Sequence, residues 1–222
     1  MKKISEAITY YVTTDEDQYG PCRIGTAYPL CLNKPFYPPQ QEGVMFGSNI
    51  YRPIYDSMDR GVSSPFSLRI RPEIKSFSKM ALLMQKGIDI LEQIKDRTAE
   101  LDRIQNICEY INHSVITVIN VKKFYIQKLK LKSAKNKQQL AQAINKIEGI
   151  AEKELQNARD SIKNLEYDSC LGFEPSMGYQ ADSSRVLWKI EQVEYMLQNE
   201  LTIYKESLNI MVNTDGSKYF RM

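Results

Sequence analysis

Residues 165 to 179, LEYDSCLGFEPSMGY, gather Glu166, Asp168 and Glu174 in one short stretch with Tyr167, Tyr179 and Met177. Two carboxylates in unlike surroundings can divide the roles of acid and base, and aromatic rings suit a sugar face or a neighbouring domain. Carboxylates are also common in plain connectors, and nothing in the sequence alone raises one of their pKa values. Upstream, EKELQNA places Glu154 and Asn157 one helical turn apart and so on one face. Exposed, they are solvated; covered, they form a paired hydrogen-bonding site. Trp188 is the sole tryptophan and adjoins an apolar stripe, where a packed ring is the simpler reading than one stacked on a saccharide. His113 is the sole histidine. A histidine triad could run only through it, and sites with several histidines are excluded. Beside an apolar seam, it reads as a histidine of the helix packing with a satisfied hydrogen bond.

Lys122, Lys123, Lys128, Lys130, Lys132, Lys135, Lys137 and Lys146 fall in a stretch with no carboxylate between Glu109 and Glu148. That patch could meet an anionic surface. It contains no arginine for bidentate base contacts, and lysines suit the end of a helix, so the expected reading is a solvated tip of the bundle rather than a nucleic-acid site; an acidic protein surface is the alternative. The phosphate-cradling motifs GxxxxGK[ST] and GxGxxG are absent, as is the serine elbow GxSxG. No cofactor, metal or catalytic residue is expected.

These groups need elements to hold them. Pro21, Pro29, Pro35, Pro38, Pro39, Pro53 and Pro65 crowd residues 1–71 together with five glycines, and prolines disfavour long helices and central strands. GTAYPLCL and GVMFGSNIYRPIY are too apolar for a disordered tail. The expectation is an irregular segment with short strands, packed on the rest of the chain or on a missing domain. From Pro72 the period becomes helical, with Pro72 and Glu73 as a first turn. Ile74, Phe77, Met80, Met84, Ile88, Leu91 and Ile94 make one stripe. Leu101, Ile104, Cys108, Ile111, Val115, Val118, Tyr125 and Leu129 make a second, with a break expected at 95–98 and Asp96 or Thr98 as cap. A third runs Leu140, Ile144, Ile147, Ala151, Leu155, Ala158, Ile162, Leu165, stopped by Gly172 and Pro175. A fourth runs Leu187, Ile190, Val193, Leu197, Leu201, Tyr204, Leu208, capped by Asp182 or Ser183. One-sided helices on short connections pack antiparallel. The expected fold is mainly α, an antiparallel bundle of three to four long helices over residues 72–210, with a tail at 211–222.

The chain has 222 residues and a formal charge of +3, too small to imply a polyanionic partner by itself. Its four cysteines show no CxxC spacing. No signal peptide and no membrane-length apolar run is visible. The expectation is a cytoplasmic protein with reduced thiols, without a membrane partner, and able to form homo-oligomers.

EKELQNARDSIKNLEYDSCLGFEPSMGY followed by LWKIEQVEYMLQNEL resembles the C-terminal helical region of large bacterial glycoside-hydrolase-like proteins of the alpha-glucuronidase and hexosaminidase type. YGPCRIGTAYPLCL and FGSNIYRPIY resemble the segment before those helices. The matched positions are Glu154, Asn157-Ala158, Asp168-Ser169, Leu171-Gly172, Glu174 to Met177 and Trp188-Lys189. Cys170 stands where the pattern has an arginine, which removes a guanidinium able to clamp a carboxylate. The resemblance implies a catalytic barrel N-terminal to residue 1, since such a barrel needs about 200 or more residues. It therefore implies a non-catalytic accessory module, a fragment without its barrel, whose partner is that barrel or a saccharide. Glu154, Asn157, Asp168, Glu174, Tyr179 and Trp188 are the expected ligand or interdomain contacts. The alternative is an independent helical scaffold or oligomerisation module with no carbohydrate role.

Overall fold

A computed structural model of the chain describes residues 1–11, 25–32, 65–174 and 179–210. Its elements are α1 (Lys2–Ile8), α2 (Pro65–Glu92), α3 (Ala99–Ser133), α4 (Lys137–Tyr167), β1 (Phe173–Glu174), β2 (Tyr179–Gln180), α5 (Ser183–Tyr195), a π-helical turn (Met196–Glu200) and α6 (Leu201–Ile210). The last three run on without interruption, giving four long rods and one short N-terminal helix.

Local chemistry explains the breaks between rods. Thr98 caps α3, its hydroxyl accepting from the Leu101 N–H at 3.2 Å. Arg97 staples the connection, donating to Leu91 O, Asp102 Oδ1 and Gln105 Oε1. Glu100 and Asp102 in the first turn of α3 and Lys130 and Lys132 in its last complement the helix dipole. Asn136 caps α4 by accepting from Gln139 N–H, while Gln139 Oε1 accepts from Lys135 N–H, both at 2.9 Å. Asp182 caps α5.

Cross-helix pairs fix the topology. His113 meets Asn157, Thr117 meets Glu154, and Asn106 meets Asn164. As one number rises the other falls, so α3 and α4 are antiparallel. Gln85–Asn112 and Glu73–Lys122 show the same for α2 and α3. The central rod is α3, which buries residues around most of its circumference. Among the described residues, no helix is long and apolar enough to cross a membrane.

Three details depart from expectation. The helix expected from Pro72 begins at Pro65, so Pro72 lies inside α2. A proline there has no N–H for the carbonyl four residues back, a cost the tertiary packing of α2 outweighs. Helix α4 ends at Tyr167, with Asp168 as its C-cap, before Gly172 and Pro175; Gly172 instead takes φ +73° in the following loop, where a Cβ would lie 2.7 Å from Ala181 O. Pro175 lies outside the described residues. In the fourth stripe, Leu187 is 51% exposed, and Val186, Lys189, Ile190 and Val193 face inward. The π turn then carries the seam across a step of five, from buried Met196 to buried Leu201, which an α-helical turn would not align.

Much of residues 1–71 lies outside the described residues, including FGSNIYRPIY. The short strands expected there do not appear among those that are described; the two-residue ladder pairing Phe173 with Gln180 and Glu174 with Tyr179 is the sheet observed among the described residues. Two pieces of the N-terminal region are described, and both pack on the rods. Helix α1 lies on α2, with Ile4 against Gly87 and Tyr11 edge-on to Phe77 at 6.1 Å. Gly25 to Leu32 are buried throughout.

A Cβ on Gly87 would sit 2.5 Å from Ile4 Cγ1, so the close approach of α1 depends on this glycine. Gly87→Ala should destabilise the protein by about 1 kcal/mol or more, strain exceeding the helix-propensity gain. In an Ile4→Ala background the clash is gone, and the same substitution should stabilise. Urea melts of the four proteins check this sign change; an equal effect in both backgrounds contradicts the contact.

Candidate functional site: a buried charge network

Residues capable of chemistry converge on the interior where α3, α4 and α5 meet. Glu154 Oε1 accepts from Thr117 Oγ1 at 2.6 Å and from Lys189 Nζ, and Glu154 Oε2 accepts from Asn120 Nδ2 at 2.6 Å. The side chains of Glu154 and Lys189 are each 0% exposed. Lys189 Nζ also donates to Thr26 O at 2.7 Å. The chain of bonds extends outward: Asn157 Nδ2 donates to Thr117 Oγ1 and to His113 O, both at 3.0 Å. Because that nitrogen faces a backbone carbonyl, Asn157 Oδ1 must be the acceptor at 2.8 Å from His113 Nδ1, which assigns the proton to Nδ1.

Two further lysines are buried the same way. Lys122 Nζ on α3 donates to Glu73 Oε2 on α2 at 2.8 Å, with Arg69 Nε 3.7 Å from the other oxygen. Lys128 Nζ donates to Cys31 O at 2.9 Å. On the opposite side of the same segment, Glu200 Oε2 accepts from Leu32 N–H at 3.0 Å. Glu200 belongs to the π turn. The segment 25–32 is thus gripped through its backbone by two lysines and a carboxylate.

The electrostatics follow from burial. Desolvation pushes the Lys189 ammonium below the ordinary lysine value, and Glu154 acts against that shift. Burial likewise holds His113 below its usual value of 6.5, opposed by the Asn157 hydrogen bond, so the imidazole is neutral near pH 7. Burial raises the Cys108 thiol. Cys31, Cys108 and Cys170 are free, and no cluster of three or more metal-ligating side chains occurs among the described residues.

Of the residues expected at a site, Glu154 and Asn157 do come together, but inside the protein. Trp188 is 3% exposed, so it is a packed ring. Asp168 lies fourteen positions along α4 from Glu154, roughly 21 Å along the axis. It caps that helix, Oδ1 accepting from Cys170 N–H at 3.0 Å, and Oδ2 lies 3.4 Å from Arg103 Nε. A guanidinium from α3 therefore stands beside the Asp168 carboxylate. Glu174 and Tyr179 face each other in the two-residue ladder.

The sequence pattern does not announce Lys122, Lys128 and Lys189 as interior residues, although two of them leave a signal. The second stripe jumps from Val118 to Tyr125, and Lys122 fills the missing seam position. Lys189 sits where Val186 and Val193 are three and four residues away, again on the seam. Comparison with known proteins gives no match: no family model, curated protein or solved structure is similar to the chain.

Breaking a buried pair strands a charge. Lys189→Met should cost about 3–5 kcal/mol, while Glu154→Met/Lys189→Met should recover most of it; urea unfolding of both variants measures this, and a single-variant loss below about 1 kcal/mol would contradict the burial. For His113, the folded value lies below the unfolded one, so the unfolded chain protonates first. Its contribution is complete above about pH 6.5 and is lost as pH falls through the folded value. His113→Gln should flatten the stability profile in that window, and an unchanged slope would remove His113 as its source.

Proposed function

We propose that the chain is a non-catalytic helical module whose chemically capable side chains serve to fasten its own parts together. The observation carrying this reading is the saturation of Glu154: both oxygens accept protein hydrogen bonds, and neither reaches solvent. A general base must reach the proton it removes, and a saccharide contact must reach the sugar. The same applies to Asn157, engaged with His113 and Thr117.

The resemblance of EKELQNARDSIKNLEYDSCLGFEPSMGY, followed by LWKIEQVEYMLQNEL, to the C-terminal helical region of glycoside-hydrolase-like proteins supports attaching the module to such a protein as an accessory part beside its catalytic barrel. In that setting Asp168, with Arg103 beside it, is an expected contact residue that remains partly exposed, and Glu154, Asn157 and Trp188 support the frame. Independent scaffolding without a carbohydrate role is the rival within the same reading.

Calorimetric titration of the full chain with glucuronic acid, N-acetylglucosamine and xylo-oligosaccharides tests the two. Saturable binding that Asp168→Ala weakens by roughly tenfold, about 1.4 kcal/mol, supports the carbohydrate attachment. No heat with any of them, together with concentration-dependent self-association in sedimentation, supports the independent scaffold. Turnover of a glycoside that Glu154→Gln abolishes would overturn the non-catalytic reading itself.

A further inference from the structure

The antiparallel register that sets Asn120 against Glu154 also brings Lys123 on α3 beside Lys153 on α4, and Lys130 beside Lys146. Lys123 and Lys130 are seven residues apart, as are Lys146 and Lys153. The result is two cationic rungs, about 10.5 Å apart along the helices. Partial desolvation holds Lys123 and Lys130 below the ordinary lysine value, and the neighbouring charges add to the shift: Lys153 acts on the first, Lys146 and Arg71 on the second. The nearest carboxylates in sequence are turned elsewhere. Glu148 and Glu152 share the α4 flank that faces α6, where Glu148 accepts from Lys205 Nζ at 2.5 Å.

One feature between the rungs makes the row receptive. Gly149 lies three residues after Lys146 and four before Lys153, and a Cβ there would meet nothing within 4 Å, so a partner's backbone can approach closely.

We infer that the outer α3/α4 seam is a docking surface for an acidic protein helix, one bearing carboxylates a heptad apart so that they meet the Lys123–Lys153 and Lys130–Lys146 rungs together. A partner helix repeats its faces at the same seven-residue interval as the seam, and the notch at Gly149 lets it lie in the groove between two helices. Nucleic acid fits less well. The described part of the row offers four lysines and Arg71, fewer than the six to ten phosphate contacts of a typical protein–DNA interface. This surface is separate from the interior clamp, so the failure of one leaves the other intact.

The test uses the full chain and an alanine-based helical peptide with glutamates along one face, read by fluorescence anisotropy. Binding is expected at low ionic strength and should weaken towards about 0.15 M salt, where charges more than about 8 Å apart are screened. Lys123→Glu/Lys146→Glu should weaken it by roughly tenfold or more, as should Lys123→Gln/Lys146→Gln in smaller measure. Lys86→Glu/Lys95→Glu, with the same change of net charge on the α2 side, should leave it nearly unchanged. Melting temperatures of all variants check that they are folded. No peptide binding, an equal loss in the Lys86/Lys95 control, or tighter binding of a DNA duplex of matched charge through the same lysines would each overturn the assignment.

Discussion

A charge cannot be taken out of water unless something inside replaces the water. This constraint organises the protein. Glu154 and Lys189 are both fully buried, and the groups that satisfy them come from four places: Thr117 and Asn120 on α3, Glu154 on α4, Lys189 on α5, and the Thr26 carbonyl of the N-terminal segment. Sliding α4 by one turn along α3 would carry Glu154 about 5.4 Å from those donors, stranding a charge at a cost of several kcal/mol. Apolar stripes tolerate such slips better, since one leucine replaces another. The oily seams therefore drive the rods together, and the charges choose the register.

The same logic explains why a proline-bearing, irregular piece of chain can be buried. An unpaired backbone carbonyl inside a protein is costly. GTAYPLCL cannot satisfy its own backbone as a helix would, and Pro29 has no N–H to offer. Lys189 and Lys128 supply donors to Thr26 O and Cys31 O, and Glu200 supplies an acceptor to the Leu32 N–H. The π turn contributes by keeping Met196 and Leu201 both buried while placing Glu200 within reach. Side chains that look like catalytic candidates in isolation thus become the bonds that hold one part of the chain to another. Among the described residues, the cationic seam of α3 and α4 lies at the surface.

Much of this was legible in the sequence, and the gaps have physical causes. The second and third stripes are apolar at every third or fourth residue because α3 and α4 bury long, continuous seams, and Thr98 and Asp182 were readable as caps because their side chains outcompete water for the first N–H groups. The start of α2 was not, because Pro72 is a good first residue in general, and only tertiary packing tells that it sits a further two turns in. The fourth stripe departs from the structure at Leu187 because Lys189 occupies the seam position that an apolar residue would announce. Glu154 and Asn157 were correctly placed on one face. Whether that face is wet or dry depends on what covers it, and the cover is His113, Thr117 and Asn120 of α3 with Lys189 of α5, at least 34 residues away in sequence. Burial by a distant segment is a property that a periodicity cannot carry.

The most direct measurement is native-state hydrogen exchange of the Tyr28 and Leu32 amides. If buried charges hold residues 25–32 inside the bundle, these amides, bonded to Gly25 O and to Glu200 Oε2, exchange as slowly as those of the α3 core, and Lys128→Met/Lys189→Met speeds them while α3 stays protected. Exchange at the rate of an unstructured peptide in the unmutated protein would contradict the account.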